Sequence, residues 1–388
     1  MPPNAELAQT LSQARAQTDA LFDLVRPDAL YERPIPERNR IIFYLGHLEA
    51  FDWNLLGRAL DMPEFHADFD HLFSFGIDPG PGELPNDQPS EWPAEDAVRD
   101  YNARVRRELD GSLAHAPEQL MHVAIEHRLM HAETFAYMLH SLQFEQKTAP
   151  AYSVAASGPA PQSRMIEIPE GTATLGRKHG DGFGWDNEFA EHQVDVPPFT
   201  IGQHKITNGE YLKFVKAGAP APHFWICHEG HWFYRGMFAD IPLPLDWPVY
   251  VAYEQARAYA QWKGCTLPME AQFHRAAYGG GPPDLADENA DFRHWDPTPV
   301  TGSRPNAFGV SQMIGNGWEW TSTPFQPFAG FEPFPFYPGY SANFFDGEHY
   351  VLKGGSPRTA ACMLRSSFRN WFRPGYPYVY ATFRLAEN

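Results

Sequence analysis

Cysteine is scarce in this 388-residue chain. Cys227, Cys265 and Cys362 stand at no metal-ligand spacing and in no even count, which excludes a zinc ribbon and a disulfide framework. Positive charge is also scarce. With 30 Lys and Arg against 48 Asp and Glu, the formal charge is −18, so no nucleic-acid or anionic-membrane partner is expected. No run of about 18 apolar residues is present, so no membrane-spanning helix is expected. The opening Met1-Pro2-Pro3-Asn4-Ala5-Glu6 lacks the basic and apolar segments of a signal peptide, and a reducing cytoplasm is the expected location. There is no internal repeat. What the chain has in excess is aromatic side chains, 15 % of residues, and 37 prolines. The length points to two domains.

Four stretches read as helices with proline near their starts: Ala5 to Leu24, Pro36 to Leu60, Pro93 to Leu109 and Pro117 to Phe144. Together they predict a four-helix bundle over residues 1–147. The connection from Asp61 to Trp92, with Asp78-Pro79-Gly80-Pro81-Gly82, reads as a loop. An Ala-, Pro- and Ser-rich linker follows over 148–164. From Met165 to Asn388 the pattern turns to short β-like runs with Gly and Pro turns and one clear helix, Tyr253 to Lys263.

The last bundle helix contains Glu126-His127-Arg128-Leu129-Met130-His131-Ala132-Glu133. Histidines four apart on a helix project from one face a turn apart, which suits two adjacent ligands of one metal ion. They share a stripe with Leu120, Ala124, Thr134, Met138 and Leu142, which predicts an amphipathic helix whose core face carries both imidazoles. His47, in Gly46-His47 among apolar neighbours, is a third candidate. Three imidazoles would leave open positions on iron or on zinc, and spacing does not choose between them. Glu133 is either a fourth ligand or an acceptor orienting an imidazole.

The carboxy-terminal part carries motifs in a characteristic order. Pro248-Val249-Tyr250-Val251-Ala252-Tyr253 is followed by Trp262, Leu267-Pro268-Met269-Glu270-Ala271 and Gly315-Asn316-Gly317-Trp318-Glu319-Trp320-Thr321. Val351-Leu352-Lys353-Gly354-Gly355-Ser356 and Phe383-Arg384-Leu385-Ala386 complete the set. This half resembles the formylglycine-generating-enzyme fold, a C-type-lectin-like α+β domain. Formylglycine generation is not implied, because the paired reactive cysteines have no match. A DinB-like bundle joined to such a domain is similar to the ergothioneine-type sulfoxide synthases and the related selenoneine synthases.

That resemblance implies Fe(II) held by His47, His127 and His131, with O2 as oxidant. It implies hercynine (Nα-trimethylhistidine) as one substrate, joined at C2 of its imidazole to sulfur or selenium. Asn370-Trp371 matches the pair that holds hercynine, with Arg373 beside it. Actinobacterial sulfoxide synthases carry Asp directly after that pair and Arg four residues on; here stand Phe372 and Tyr376. Met130 replaces a glutamine that usually precedes the second helix histidine. Losing two charged anchors for γ-glutamylcysteine, together with a wall of Phe372, Tyr376, Tyr378 and Tyr380, favours a selenosugar donor. Arg369 and Arg373 offer a way to rebuild a carboxylate site. Tyr337 and Tyr340 are the candidate proton donors. The expected function is therefore C–Se bond formation between hercynine and a selenosugar. The alternatives are a sulfoxide synthase using γ-glutamylcysteine or cysteine, a zinc-dependent thiol transferase, and a non-catalytic metal- or ligand-binding module.

Overall fold

The computed structural model describes residues 4–74 and 84–387. The chain divides into two compact units, Met1–Ala151 and Tyr152–Asn388. Among the described residues no helix is long and apolar enough to cross a membrane.

The first unit is built on four long helices. They are α1 (Ala5–Phe22), α2 (Ile41–Asp52), α4 (Glu95–Asp110) and α5 (Glu118–Ser141), with a short α3 (Ala67–Leu72) between the middle two. α1 packs on α5 and α2 on α4, and α2 also meets α5. The α2 helix begins five residues later than expected, because Pro36 to Arg40 form a turn closed by Arg38 N–H to Ile35 O. Arg38 is itself buried against the Tyr137 hydroxyl. At its far end α2 runs into a π-helical turn, Trp53–Gly57.

Two expectations fail here. The 61–92 connection contains α3, held by tertiary bonds: Tyr101 Oη donates to Asp70 Oδ1 and Asn54 Nδ2 to Asp70 O. The Asp78–Gly82 turn lies outside the described residues. Nor is α5 amphipathic. From Met121 onward it is buried on most of its circumference, with His122, Met130, Thr134 and Ser141 half-exposed. Its buried residues include Glu126, Arg128, Glu133 and His140 beside the apolar ones, so burial extends well beyond the stripe that holds the two histidines.

The second unit carries twelve short strands: β1 (Met165–Ile168), β2 (Gly171–Leu175), β3 (His192–Val196), β4 (Phe199–Gly202), β5 (Trp225–His228), β6 (His231–Arg235), β7 (Asp240–Pro242), β8 (Trp318–Pro324), β9 (Tyr350–Lys353), β10 (Asn370–Phe372), β11 (Ala381–Thr382) and β12 (Ala386–Glu387). They form sheets β1-β4-β12, β2-β3, β5-β6-β7 and β10-β9-β8-β11. All pairings are antiparallel except β11 with β8. Among the described residues three α-helices accompany them: α6 (Asn208–Lys216), α7 (Tyr253–Trp262) and α8 (Glu270–Tyr278). Only α7 was expected. The signal for α6 was present: Thr207 and Glu210 close a reciprocal capping box.

The motif residues prove to be buried fasteners. Glu319 of β8 accepts from Lys205 Nζ at 2.6 Å and from Arg384 Nε at 2.9 Å, with all three side chains fully buried. Arg384 also donates to the carbonyls of Gly202, Gln203 and Gln312, so one side chain fastens β4, β8 and the loop before β8. The edge strand β10 pairs with β9 in the register Asn370↔Leu352, Trp371↔Val351 and Phe372↔Tyr350. That pairing fixes which face each of the three side chains takes.

Candidate functional site

In the first unit three imidazoles converge. His47 of α2 and His127 and His131 of α5 each offer a donor atom within 4.8 Å of the others, and all three are buried. His131 Nε2 stands 3.3 Å from His47 Nε2 and 3.2 Å from His127 Nε2. Two imidazole nitrogens, each about 2.1 Å from one ion at right or tetrahedral angles, lie about 3.0–3.4 Å apart. The two separations from His131 therefore fit neighbouring ligands of one ion, with the third pair within 4.8 Å.

The tautomer fits as well. His47 Nδ1 lies 2.6 Å from the Phe73 carbonyl, which can only accept. The proton is thus on Nδ1, and Nε2 presents a lone pair to the cluster. Burial pushes the His47 pKa down to about 4. Burial, and then the neighbouring imidazoles, hold His127 well below its ordinary value, and burial followed by His47 and the charges of Arg38 and Arg128 does the same to His131. Three neutral imidazoles with their Nε2 atoms gathered in one buried place, and the His47 lone pair turned into it, form a donor set that a cation would satisfy.

The surroundings restrict ring motion. The Phe51 ring stacks on His127 at 3.4 Å and 9°, and Phe43 stacks on His47 at 4.9 Å and 18°. Gly46 is required by close approach, since a β-carbon there would stand 2.6 Å from the Phe73 ring. Glu133 is buried on α5, yet the group of convergent donors among the described residues is the three histidines. Met130 is half-buried on the same helix.

The second-unit candidates form another assembly. Trp371 stacks on Phe325 at 4.3 Å and 7° and meets Tyr340 edge-on at 5.4 Å. Tyr340 stacks on Trp185 at 3.9 Å and touches Tyr337 at 5.6 Å. Both candidate tyrosines thus belong to one aromatic cluster with Trp371. Its floor is the 186–188 turn, where Asp186 accepts from Ser341 at 2.6 Å and Glu188 is paired with Arg365. Asn370 Oδ1 accepts from the Trp371 N–H at 2.9 Å. Its amide Nδ2 has no hydrogen-bond partner among the described residues.

Two expectations about the donor wall are corrected. Arg369 cannot rebuild a carboxylate site, because Glu270 already occupies its Nε and Nη2 at 3.0 and 3.2 Å and its guanidinium lies over Phe328. Tyr380 is not part of the wall; it is buried and stacked on Tyr250 at 5.5 Å. Phe372 and Tyr376 stack on each other at 5.3 Å and 10°, and Tyr378 meets Tyr376 edge-on. Arg373 is exposed. Sequence reading assigned no role to Phe73, Phe51 or Arg128. A main-chain acceptor such as the Phe73 carbonyl leaves no sequence signal at all.

The DinB superfamily matches residues 10–143 and the sulfatase-modifying factor enzyme 1-like domain matches residues 152–388. The chain is thus a DinB-type helical unit followed by a sulfatase-modifying-factor-like α+β domain, as its motifs implied. It is 31% identical to a hercynine oxygenase of Mycolicibacterium thermoresistibile, over 100% of this chain and 95% of that protein. A hercynine oxygenase of Mycobacterium tuberculosis is also 31% identical, over 98% of each chain. Ergothioneine biosynthesis protein 1 of Schizosaccharomyces pombe is 29% identical over 94% of this chain and 54% of its own length. The chain spans about half the length of the fungal relatives it matches. It belongs to the ergothioneine-type sulfoxide synthase family.

Proposed function

We propose that this protein is a non-haem Fe(II), O2-dependent enzyme that joins C2 of the hercynine imidazole to the sulfur of a thiol such as γ-glutamylcysteine or cysteine. The observation that carries the reading is the convergence of three buried, neutral imidazoles in a chain aligned end to end with hercynine oxygenases. His47, His127 and His131 would hold the iron, whose contribution when bound is to let O2 act as the oxidant. The overall balance is simple. The C2–H and S–H hydrogens leave with one oxygen atom as water, and the other oxygen stays on sulfur.

The chain's own residues bind, orient and supply protons. Asn370 holds its Oδ1 on the backbone and offers Nδ2 to the hercynine carboxylate. Trp371, with one face on Phe325, offers its remaining surface to the trimethylammonium group, which attracts aromatic faces without donating a hydrogen bond. Tyr340 and Tyr337 are the candidate acids; burial in the cluster keeps Tyr340 shielded from bulk water. Met130, Phe372, Arg373 and Tyr376 are assigned to the donor.

A selenosugar donor is the second reading, favoured by one observation. Phe372 and Tyr376 present a self-stacked, uncharged surface where charged anchors would hold an amino-acid donor. The family relationship favours the thiol. Iron-loaded protein, purified without air and given hercynine, O2 and each donor in turn, separates the two by mass spectrometry of the product. Turnover with the selenosugar and none with either thiol overturns the main reading. Full activity of a zinc-loaded protein under argon overturns the oxidative reading altogether. No hercynine-dependent O2 consumption leaves a binding module.

A further inference from the structure

Within a turn and a half of His47, α2 carries two buried carboxylates, Glu49 and Asp52. Three guanidiniums from three other helices close on them. Arg106 of α4 pairs with Glu49 at 2.6 Å, and Arg15 of α1 lies 3.8 Å from Asp52. Arg128 of α5, next to His127, is the most buried of the three, at 1 % exposure. Its Nη2 reaches Asp52 Oδ2 at 2.7 Å, Glu49 Oε2 at 3.0 Å and the main-chain carbonyl of Leu48 at 3.0 Å. Its Nη1 reaches Thr18 of α1 at 3.4 Å. Arg128 therefore ties the backbone of the helix bearing His47 to the helix bearing His127 and His131.

We propose that Arg128 is a positioning residue that fixes the register of α5 against α2, and thereby the separation of His47 from His127 and His131. The proposal rests on the reading of those three as metal ligands. Stability alone does not account for the arrangement, since buried ion pairs can be replaced by well-packed apolar groups at little or no cost. Register does. A slip of one residue along a helix is about 1.5 Å, whereas metal–ligand distances tolerate about 0.2 Å. A planar fork whose Nη2 meets two carboxylates and a carbonyl of α2 while its Nη1 reaches Thr18 of α1 resists such a slip; the single ammonium of lysine cannot make both sets of contacts at once.

The test is cobalt(II) titration of the full-length chain, read as affinity and as the visible d–d spectrum, alongside thermal unfolding of the metal-free protein. Arg128→Lys is expected to weaken cobalt binding at least about tenfold, the scale of supporting-shell changes at metal sites, and to alter the spectrum. The paired change Arg128→Met with Asp52→Leu, which replaces that ion pair by apolar side chains and leaves Glu49 paired with Arg106, is expected to show the same loss. Arg106→Gln, which breaks contacts to Glu49 without touching the α2 backbone, is expected to lower Tm and leave affinity and spectrum close to wild type. Wild-type affinity and spectrum in Arg128→Lys or in the paired variant would overturn the role of Arg128. So would a loss of affinity in Arg106→Gln in proportion to its loss of Tm. No cobalt binding by the wild-type chain would overturn the three-imidazole reading and the proposal with it.

Discussion

His47 Nδ1 donates to the main-chain carbonyl of Phe73 over 2.6 Å, and the Phe73 ring occupies the space that a β-carbon on Gly46 would need. One residue thus does two jobs for its neighbour: its carbonyl sets the His47 tautomer, and its ring demands glycine one position earlier. Gly46→Ala must push Phe73 away and take the carbonyl with it. The expected result is metal affinity lower by about 10–100-fold and a stability loss of about 1–3 kcal/mol from overpacking. Metal titration together with urea unfolding checks both. Unchanged affinity would show that the carbonyl does not orient His47.

His131 stands between the other two imidazoles, within 3.3 Å of each Nε2. His131→Ala is expected to retain no stoichiometric iron. The second unit keeps its own core, with Ile168, Phe199, Ile201 and Phe273 in one buried cluster, so its near-ultraviolet signal should survive. Elemental analysis finding one iron per variant chain would contradict the ligand assignment.

The sequence disclosed the three histidines because two share a helix face and the third lies among apolar residues where a polar side chain stands out. It could not disclose what aligns them. Arg128 is separated by 76 residues from Asp52 and by 80 from Leu48, so its partners are a product of helix packing. The α3 helix escaped for a related reason: its six residues carry Asp68, Asp70 and His71 and hold their shape through Tyr101 and Asn54. In the second unit, strands of two to seven residues are too short to show a period, and order there was legible only through motif residues. Glu319 and Arg384 explain why those motifs read so clearly, since each fastens distant segments.

Glu288 gives the second unit a pH dependence of definite sign. Burial pushes its carboxyl up from 4.5 to about 7, against the opposing pull of the nearby Ser303 hydroxyl and the charges of Lys205 and Arg384. Between those values the folded chain holds a proton that the unfolded chain has released, so stability falls as pH rises through the window. At about 1.4 kcal/mol per pK unit, the loss is at most about 3.5 kcal/mol. Glu288→Gln should flatten this part of the profile and be the more stable protein at pH 8. Urea midpoints of the two proteins from pH 4.5 to 8 give the comparison, and parallel profiles would refute the assignment.

The donor is decided, on this reading, at Phe372 and Tyr376. Their rings lie parallel, 5.3 Å apart, with β10 fixing the first and the following turn, closed by Tyr376 N–H to Arg373 O, fixing the second. A charged amino-acid donor gains little from that surface, whereas an Asp and an Arg there would each form a charge-assisted hydrogen bond worth about 1.5–3 kcal/mol. The double variant Phe372→Asp with Tyr376→Arg should therefore raise kcat/KM for γ-glutamylcysteine by about tenfold or more, mainly through KM. It should leave kcat/KM for an uncharged thiol or selenosugar unchanged or lower, because the stacked pair is lost. An unchanged ratio between charged and uncharged donors would mean that these two positions do not face the donor, and that its selection lies elsewhere, with exposed Arg373 the first residue to examine.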